Sequence, residues 1–141
     1  MQSETTIPLP DQKVNLVIRQ FRRENESWRR TLEFLIEEDI ILKAGISEVL
    51  KNMNQTDEGI LKKLEHFHNH LIKQNDIVRL LRTGVANMGK KINLDYYFET
   101  DFSSSITRIQ RILRKQIETV ELEFLKLKFD FNDYIDGILQ N

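Results

Sequence analysis

The chain has 141 residues with 21 Lys and Arg, 22 Asp and Glu and no cysteine, and its formal charge is −1. This length suits one domain, and the lack of cysteine excludes disulfide frameworks, cysteine-ligated zinc and Fe–S clusters, and thiol catalysis. A hydrophobic fraction of 40% with 30% charged residues is typical of a folded domain and not of a disordered chain.

The N-terminal residues do not have the features of a targeting signal. They include Glu4 but no basic residue and no continuous apolar stretch. The longest wholly aliphatic run, from Ile40 to Leu42, is far shorter than the ~20 residues of a membrane-spanning helix. The absence of cysteine also suits a reducing compartment. We therefore expect a cytoplasmic protein with no membrane contact, in which residues 1–10 are disordered and residues 11–141 form one helical domain.

The first predicted helix covers residues 11–52. Both prolines of the chain precede it, so no proline ring interrupts it. One stripe along this helix is spaced by steps of three and four residues, and it includes the two acids Glu24 and Asp39. The other members of the stripe are apolar: Val14, Val17, Phe21, Trp28, Leu32, Leu35, Leu42, Ile46 and Val49. A bend at Gly45 would divide this helix and give a bundle of four helices as the alternative to three.

Two further helices are predicted, over residues 57–91 and 101–139, with turns near residues 55 and 96. The apolar seam of the second helix repeats in heptads, which favours left-handed bundle geometry. The seam of the third helix contains two successive steps of four between Ile109 and Ile117, which predicts local unwinding.

Residues 125–131 alternate between apolar and polar side chains, as in a half-buried strand. The helical seam nevertheless continues on both sides of this segment, and a lone strand would have no ladder partner. We therefore predict an all-α fold, an elongated up-down-up antiparallel bundle whose first and third helices are ~55–65 Å long.

Charge is distributed unevenly along the predicted bundle. The two turns place residue 88 beside residues 22 and 104, so that basic residues of all three helices collect in one half. This basic surface has thirteen members and shares its half with two acids: Arg19, Arg22, Arg23, Arg29, Arg30, Arg79, Arg82, Lys90, Lys91, Arg108, Arg111, Arg114 and Lys115. The other half has an excess of acidic residues, so the bundle is predicted to be bipolar, with opposite net charge in its two halves.

Three interpretations of this bipolar charge stay open. The charges solvate the outer faces, they direct self-association, or the basic half binds an acidic protein or a polyanion. Nucleic acid is the least favoured partner, because the chain lacks the interleaved aromatic residues and Gly-rich loops of common nucleic-acid modules. The seam acid Glu24 is level with Arg82 and Arg108, which predicts an ion pair with one of them.

The acidic half carries more apolar residues than one core-facing stripe requires. Five of them fall on the outer faces of the third and first helices: Leu122, Leu125, Phe129, Phe34 and Ile41. A three-helix monomer cannot bury them, so we expect a homodimer that pairs these surfaces. A four-helix monomer, in which the first helix folds back at Gly45, is the alternative.

Metal-ligating side chains are concentrated in the segment Glu-His-Phe-His-Asn-His, which begins at Glu65. Its Glu-x-x-His and His-x-x-x-His spacings place pairs of ligands on one helical face, and Asp39 is level with them. Ferritin-like bundles need two Glu-x-x-His pairs, and this chain has one. The weak metal candidates Glu65, His68, His70 and Asp39 are therefore interpreted as residues at the core rim, with a hydrogen bond from His68 or His70 to Asp39.

The chain contains none of the familiar catalytic motifs. A nucleophile elbow, a Walker-type glycine loop and a dinucleotide-binding glycine fingerprint are all missing from the sequence. We therefore predict neither an enzyme nor a cofactor.

Two short segments resemble uncharacterised bacterial all-helical, coiled-coil-like proteins: residues 26–38, which begin Glu-Ser-Trp-Arg-Arg, and residues 126–134. The resemblance implies a helical fold and brings no function with it. The residues themselves predict a non-catalytic interaction or scaffold protein that self-associates. The alternatives are a carboxylate and histidine metal-binding bundle of the ferritin-like class, and a binder of polyanions or acidic proteins through the basic half.

Overall fold

The computed structural model describes residues 10–52, 57–95 and 102–140. They form three α-helices: α1 (Pro10–Asn52), α2 (Glu58–Asp95) and α3 (Phe102–Gln140). This confirms the predicted all-α bundle of three long helices. Helix α1 continues through Gly45, and residues 125–131 lie within α3. The disorder predicted for residues 1–10 lies outside the described residues except at Pro10, where α1 begins.

Helix α2 has a defined start. The Asp57 carboxylate accepts hydrogen bonds from the backbone N–H groups of Gly59 (3.0 Å) and Ile60 (3.2 Å). These are two of the amides that a helix leaves without an internal partner, so Asp57 is the N-cap. Glu58 adds negative charge to the first turn, where the helix dipole favours it.

The three helices run up, down and up, and individual contacts fix their alignment. Arg22 of α1 donates to Asn93 Oδ1 of α2 at 2.7 Å, and the rings of Phe67 and Phe131 join α2 to α3 at 5.3 Å between centroids. The predicted alignment, which put residue 88 beside Arg22, was therefore wrong by about one turn. Helix α2 continues to Asp95, four residues past its predicted end, which moves the second turn along the chain.

The buried side chains repeat with a strict seven-residue spacing. In α1 they are Ile18, Phe21, Asn25, Trp28, Leu32, Leu35, Asp39, Leu42 and Ile46. In α3 they are Ile106, Gln110, Leu113, Ile117, Val120, Phe124, Leu127 and Phe131. The core position predicted for Ile109 belongs to Gln110, so the predicted irregularity in the third seam was wrong. The prediction for α1 is likewise displaced by one residue at two positions. Asn25 is buried rather than Glu24, and Ile18 is buried rather than Val17.

The long helices are all amphipathic. In the part of the chain that the structure describes, none combines the length and apolar character needed to cross a membrane. Their polar faces are instead exposed around a single core that extends along the bundle.

We expect Phe124→Ala to lower the free energy of unfolding by about 3–5 kcal/mol, because it removes a ring that is 2% exposed at the centre of the core. Leu139→Ala is the control, since Leu139 is 77% exposed, and its effect should stay within about 0.5 kcal/mol. Urea unfolding followed by circular dichroism at one protein concentration measures both. Equal effects of the two variants would contradict the core assignment.

Candidate functional site

The structure leaves a group of large apolar side chains on the outer face of α1 and α3. Each is more than half exposed, and we call them the apolar patch: Phe34, Ile41, Leu122, Leu125 and Phe129. All five were predicted to point away from the core. None belongs to the buried heptad positions, so the core leaves them available for a further contact.

Contacts between α1 and α3 align the two rows of the patch. Glu38 of α1 forms an ion pair with Lys128 of α3, and a Cβ at Gly45 would lie 3.6 Å from the Phe131 ring. With these contacts, Phe34 and Ile41 are level with residues 120–131. The two rows therefore occupy the same stretch of the bundle, within its acidic half.

The basic surface divides into two parts that differ in local pairing. On α1, Arg29 binds Glu33 at 2.8 Å and also pairs with Glu26, which Arg30 approaches at 3.4 Å. The hydrogen bond from Arg29 holds the pKa of Glu26 below its ordinary value. Two of the five α1 members of the basic surface, Arg29 and Arg30, are thus paired with acids of their own helix.

On α2 and α3 the basic residues lie in segments of the sequence that have no acid of their own. Residues 77–93 contain four cations and no acid, and residues 102–117 contain four cations and no acid. Most of these side chains are exposed: Arg79, Arg82, Lys90, Arg108, Arg111 and Lys115. These cations do not all face one side of the bundle: Arg82 lines a pocket with Arg22 and Arg29 of α1. Arg114 pairs with Glu24 of α1, whereas Lys115 lies between α2 and α3.

A second apolar surface lies in this region, and the sequence did not reveal it. Ile77, Leu80 and Ile112 are exposed, and together with Leu81, Gly84 and Leu113 they line a groove of about 600 Å³ between the two helices. We call it the α2–α3 groove. Gly84 contributes to its floor, because a Cβ there would lie only 3.3 Å from Leu113 Cδ2.

A polar layer crosses the core between α1 and α3. The fully buried Gln110 donates from Nε2 to Asn25 Oδ1 at 2.9 Å and to Glu24 Oε1 at 3.0 Å. Arg114 binds both oxygens of Glu24, at 2.5 and 2.7 Å, in a bidentate pair. The hydrogen bond with Glu24 raises the pKa of Arg114. The predicted partners Arg82 and Arg108 were wrong, because the helices align differently from the prediction.

The histidine segment lies on the surface. His66, His68, His70 and Glu65 are exposed, and the rings of His66 and His70 are 4.6 Å apart. Asp39 is instead 3% exposed. Helical position accounts for this difference, since Asp39 occupies a heptad core position and the histidines flank theirs.

Asp39 pairs with Lys43 of its own helix at 3.0 Å, so the predicted hydrogen bond between Asp39 and a histidine was wrong. The structure therefore separates the weak metal candidates. Among the described residues, no group of three or more His, Asp or Glu side chains is placed to hold a metal ion.

His66 and His70 also line a cleft of about 520 Å³ between α2 and α3, near the acidic end. Its walls mix cations with acids, and Lys63 lies over the Phe67 and Tyr134 rings at 5.4 and 5.9 Å. Burial, and to a smaller extent the charge of Asp57, raise the pKa of Tyr134. The charged side chains that line the cleft are therefore of both signs.

Comparison of the chain with family models, curated proteins and solved structures gives no match. The function is therefore inferred from the surfaces and the polar layer described above.

We expect Arg114→Met to destabilise the protein by about 1–2 kcal/mol, because it leaves the three-quarters buried Glu24 carboxylate without its cation. Adding Glu24→Gln should restore part of this loss, since no unpaired charge then remains. Arg29→Met removes a pair that is half exposed and should have no measurable effect. Urea unfolding of the wild type, Arg114→Met, Glu24→Gln and the double variant gives the coupling energy, and a value of zero would contradict the polar layer.

Proposed function

We propose that this chain is a non-catalytic interaction or scaffold module that self-associates through the apolar patch. The observation that carries the proposal is the alignment of five large apolar side chains, each more than half exposed, on neighbouring rows of two helices. A group of large exposed apolar side chains at one level of a bundle is typical of a protein–protein contact. A second copy offers an identical patch, so a two-fold symmetric dimer would cover both.

Charge supports an antiparallel arrangement of the two copies. The patch residues of α3, 122–129, lie close to the middle of Phe102–Gln140. An antiparallel pair centred there overlaps along most of its length and brings residues 108–115 of each copy toward the C-terminal end of the other copy's α3, which contains Asp133 and Asp136. A parallel pair would instead place like charges together, which costs association free energy.

The buried polar side chains support a non-catalytic role. Glu24 is held by Arg114 and Gln110, and Asp39 is held by Lys43. These contacts neutralise or fix groups that could otherwise serve as acids or bases. The proposal includes a cytoplasmic location, which the absence of cysteine supports.

We expect the wild-type chain to have the mass of a dimer in size-exclusion chromatography with light scattering, at low micromolar concentration. Leu125→Glu with Phe129→Glu should give a monomer, because it buries carboxylates at the centre of the proposed interface. The dimer should persist between 0.1 and 0.5 M salt, where the Debye length falls from ~10 Å to roughly 4 Å, because its contact is mainly apolar.

The matched control is Ile72→Glu, which places a carboxylate on an exposed apolar position of α2, outside the patch. It should leave the dimer mass unchanged, and circular dichroism should show native helicity for every variant. A monomeric wild type, or a double variant that keeps the dimer mass, would overturn the proposed interface.

A further inference from the structure

His66 and His70 lie one helical turn apart on the same face of α2. Both side chains are exposed, their ring centroids are 4.6 Å apart, and both line the cleft of about 520 Å³ between α2 and α3, which we call the histidine cleft. Two imidazoles that bind one zinc ion through Zn–N bonds of ~2.0–2.1 Å at a tetrahedral angle have centroids about 5 Å apart. The pair is therefore spaced as two ligands of one ion, and the helix backbone already supplies that spacing.

The third histidine does not share this arrangement. At about 100° of helix rotation per residue, His68 lies about 160° around α2 from both His66 and His70. Neither His68 nor Glu65 lines the histidine cleft, and Asp39 is buried in the core. The pair is thus a different ligand set from the one that the sequence suggested.

The α3 wall of the histidine cleft favours a cation. Among the described lining residues, the three acids Glu123, Asp130 and Asp133 outnumber the two lysines. One of these lysines, Lys63, has its ammonium group over two aromatic rings, at 5.4 and 5.9 Å from their centroids. A divalent ion bound by the histidines would therefore have carboxylates across the cleft, which lower its electrostatic energy.

The imidazole ligands select the class of ion. Imidazole nitrogen suits Zn²⁺, Cu²⁺ and Ni²⁺, whereas Mg²⁺ and Ca²⁺ take oxygen ligands. A closed structural zinc site has four protein ligands, and no group of three or more is placed to hold an ion among the described residues. Water would complete the coordination of an ion on the histidine pair, so the site is open and its ion can exchange.

We infer that His66 and His70 bind one divalent transition-metal ion per chain at the histidine cleft. This site goes beyond the proposed self-association, which uses the outer face of α1 and α3. The two proposals use different surfaces and can fail independently.

The test is isothermal titration calorimetry of the tag-free full chain with zinc chloride. The titration should show one zinc ion bound per chain, whereas magnesium chloride over the same concentrations should show no binding. Zinc should also raise the melting temperature measured by circular dichroism. The reason is that the unfolded chain does not hold His66 and His70 on one helical face, so zinc binds the folded state more tightly.

Histidine variants connect this binding to its site. His66→Gln and His70→Gln should each weaken zinc binding by at least about tenfold, because one of two protein ligands is lost. The matched control is His68→Gln, which makes the same change on the opposite side of the same helix and should bind zinc as the wild type does. All three side chains are exposed, so every variant should keep native helicity.

Three results would overturn the inference. The first is the absence of zinc binding to the wild type at submillimolar zinc. The second is binding that either His66→Gln or His70→Gln leaves unchanged, or that His68→Gln weakens to the same extent. The third is one zinc ion per two chains together with a doubled mass in light scattering, which would assign the ion to a contact between copies.

Light scattering without zinc separates this inference from the proposed function. A dimer that does not bind zinc would overturn the metal site alone. A monomer that binds one zinc ion through His66 and His70 would overturn self-association alone.

Discussion

The fully buried amide of Gln110 is the constraint on which the alignment of the bundle depends. Burying an amide is unfavourable unless it finds hydrogen-bond partners, and those partners, Asn25 and Glu24, lie on another helix. Arg114 then pairs with Glu24, and the same sequence separation of 90 residues recurs in the pair of Glu38 and Lys128. The two ion pairs are therefore two heptads apart and hold α1 and α3 in one register. A shift by one turn would break both pairs and remove the acceptors of Gln110 Nε2, which gives the polar layer a role in specificity.

This register determines which surfaces the molecule presents. It brings Phe34 and Ile41 level with the α3 residues of the apolar patch, with the Glu38–Lys128 ion pair joining the two helices at the same level. The packing of α3 against α2 likewise brings Ile112 next to Leu80 and Ile77. Three helices enclose one core, but they leave the outer flanks of α3 uncovered on both sides. The exposed apolar residues are thus a consequence of having three helices where four or six would be needed to cover them.

Helical spacing alone was enough to predict the three helices and the outward direction of the apolar patch. It failed at Gln110 and Asn25, because a hydrophobic pattern counts apolar residues and cannot register an amide whose partner lies on another helix. The pattern therefore assigned the adjacent residues Ile109 and Glu24 to the core. As a result, the seam of α3 was predicted to be irregular. The groove was missed for a related reason: Ile77, Leu80 and Ile112 become one surface only when the alignment of α2 and α3 is known. That alignment depends on where α2 ends, which is at Asp95. The helix-stop signals in the sequence near this residue are weak and did not define this end.

The two apolar surfaces lie on different sides of α3. The patch lies among the acids of its half, whereas the groove lining contains one cation, Lys115, and one acid, Glu123. Because the patch uses the α1 side of α3 and the groove uses its α2 side, occupation of one leaves the other accessible.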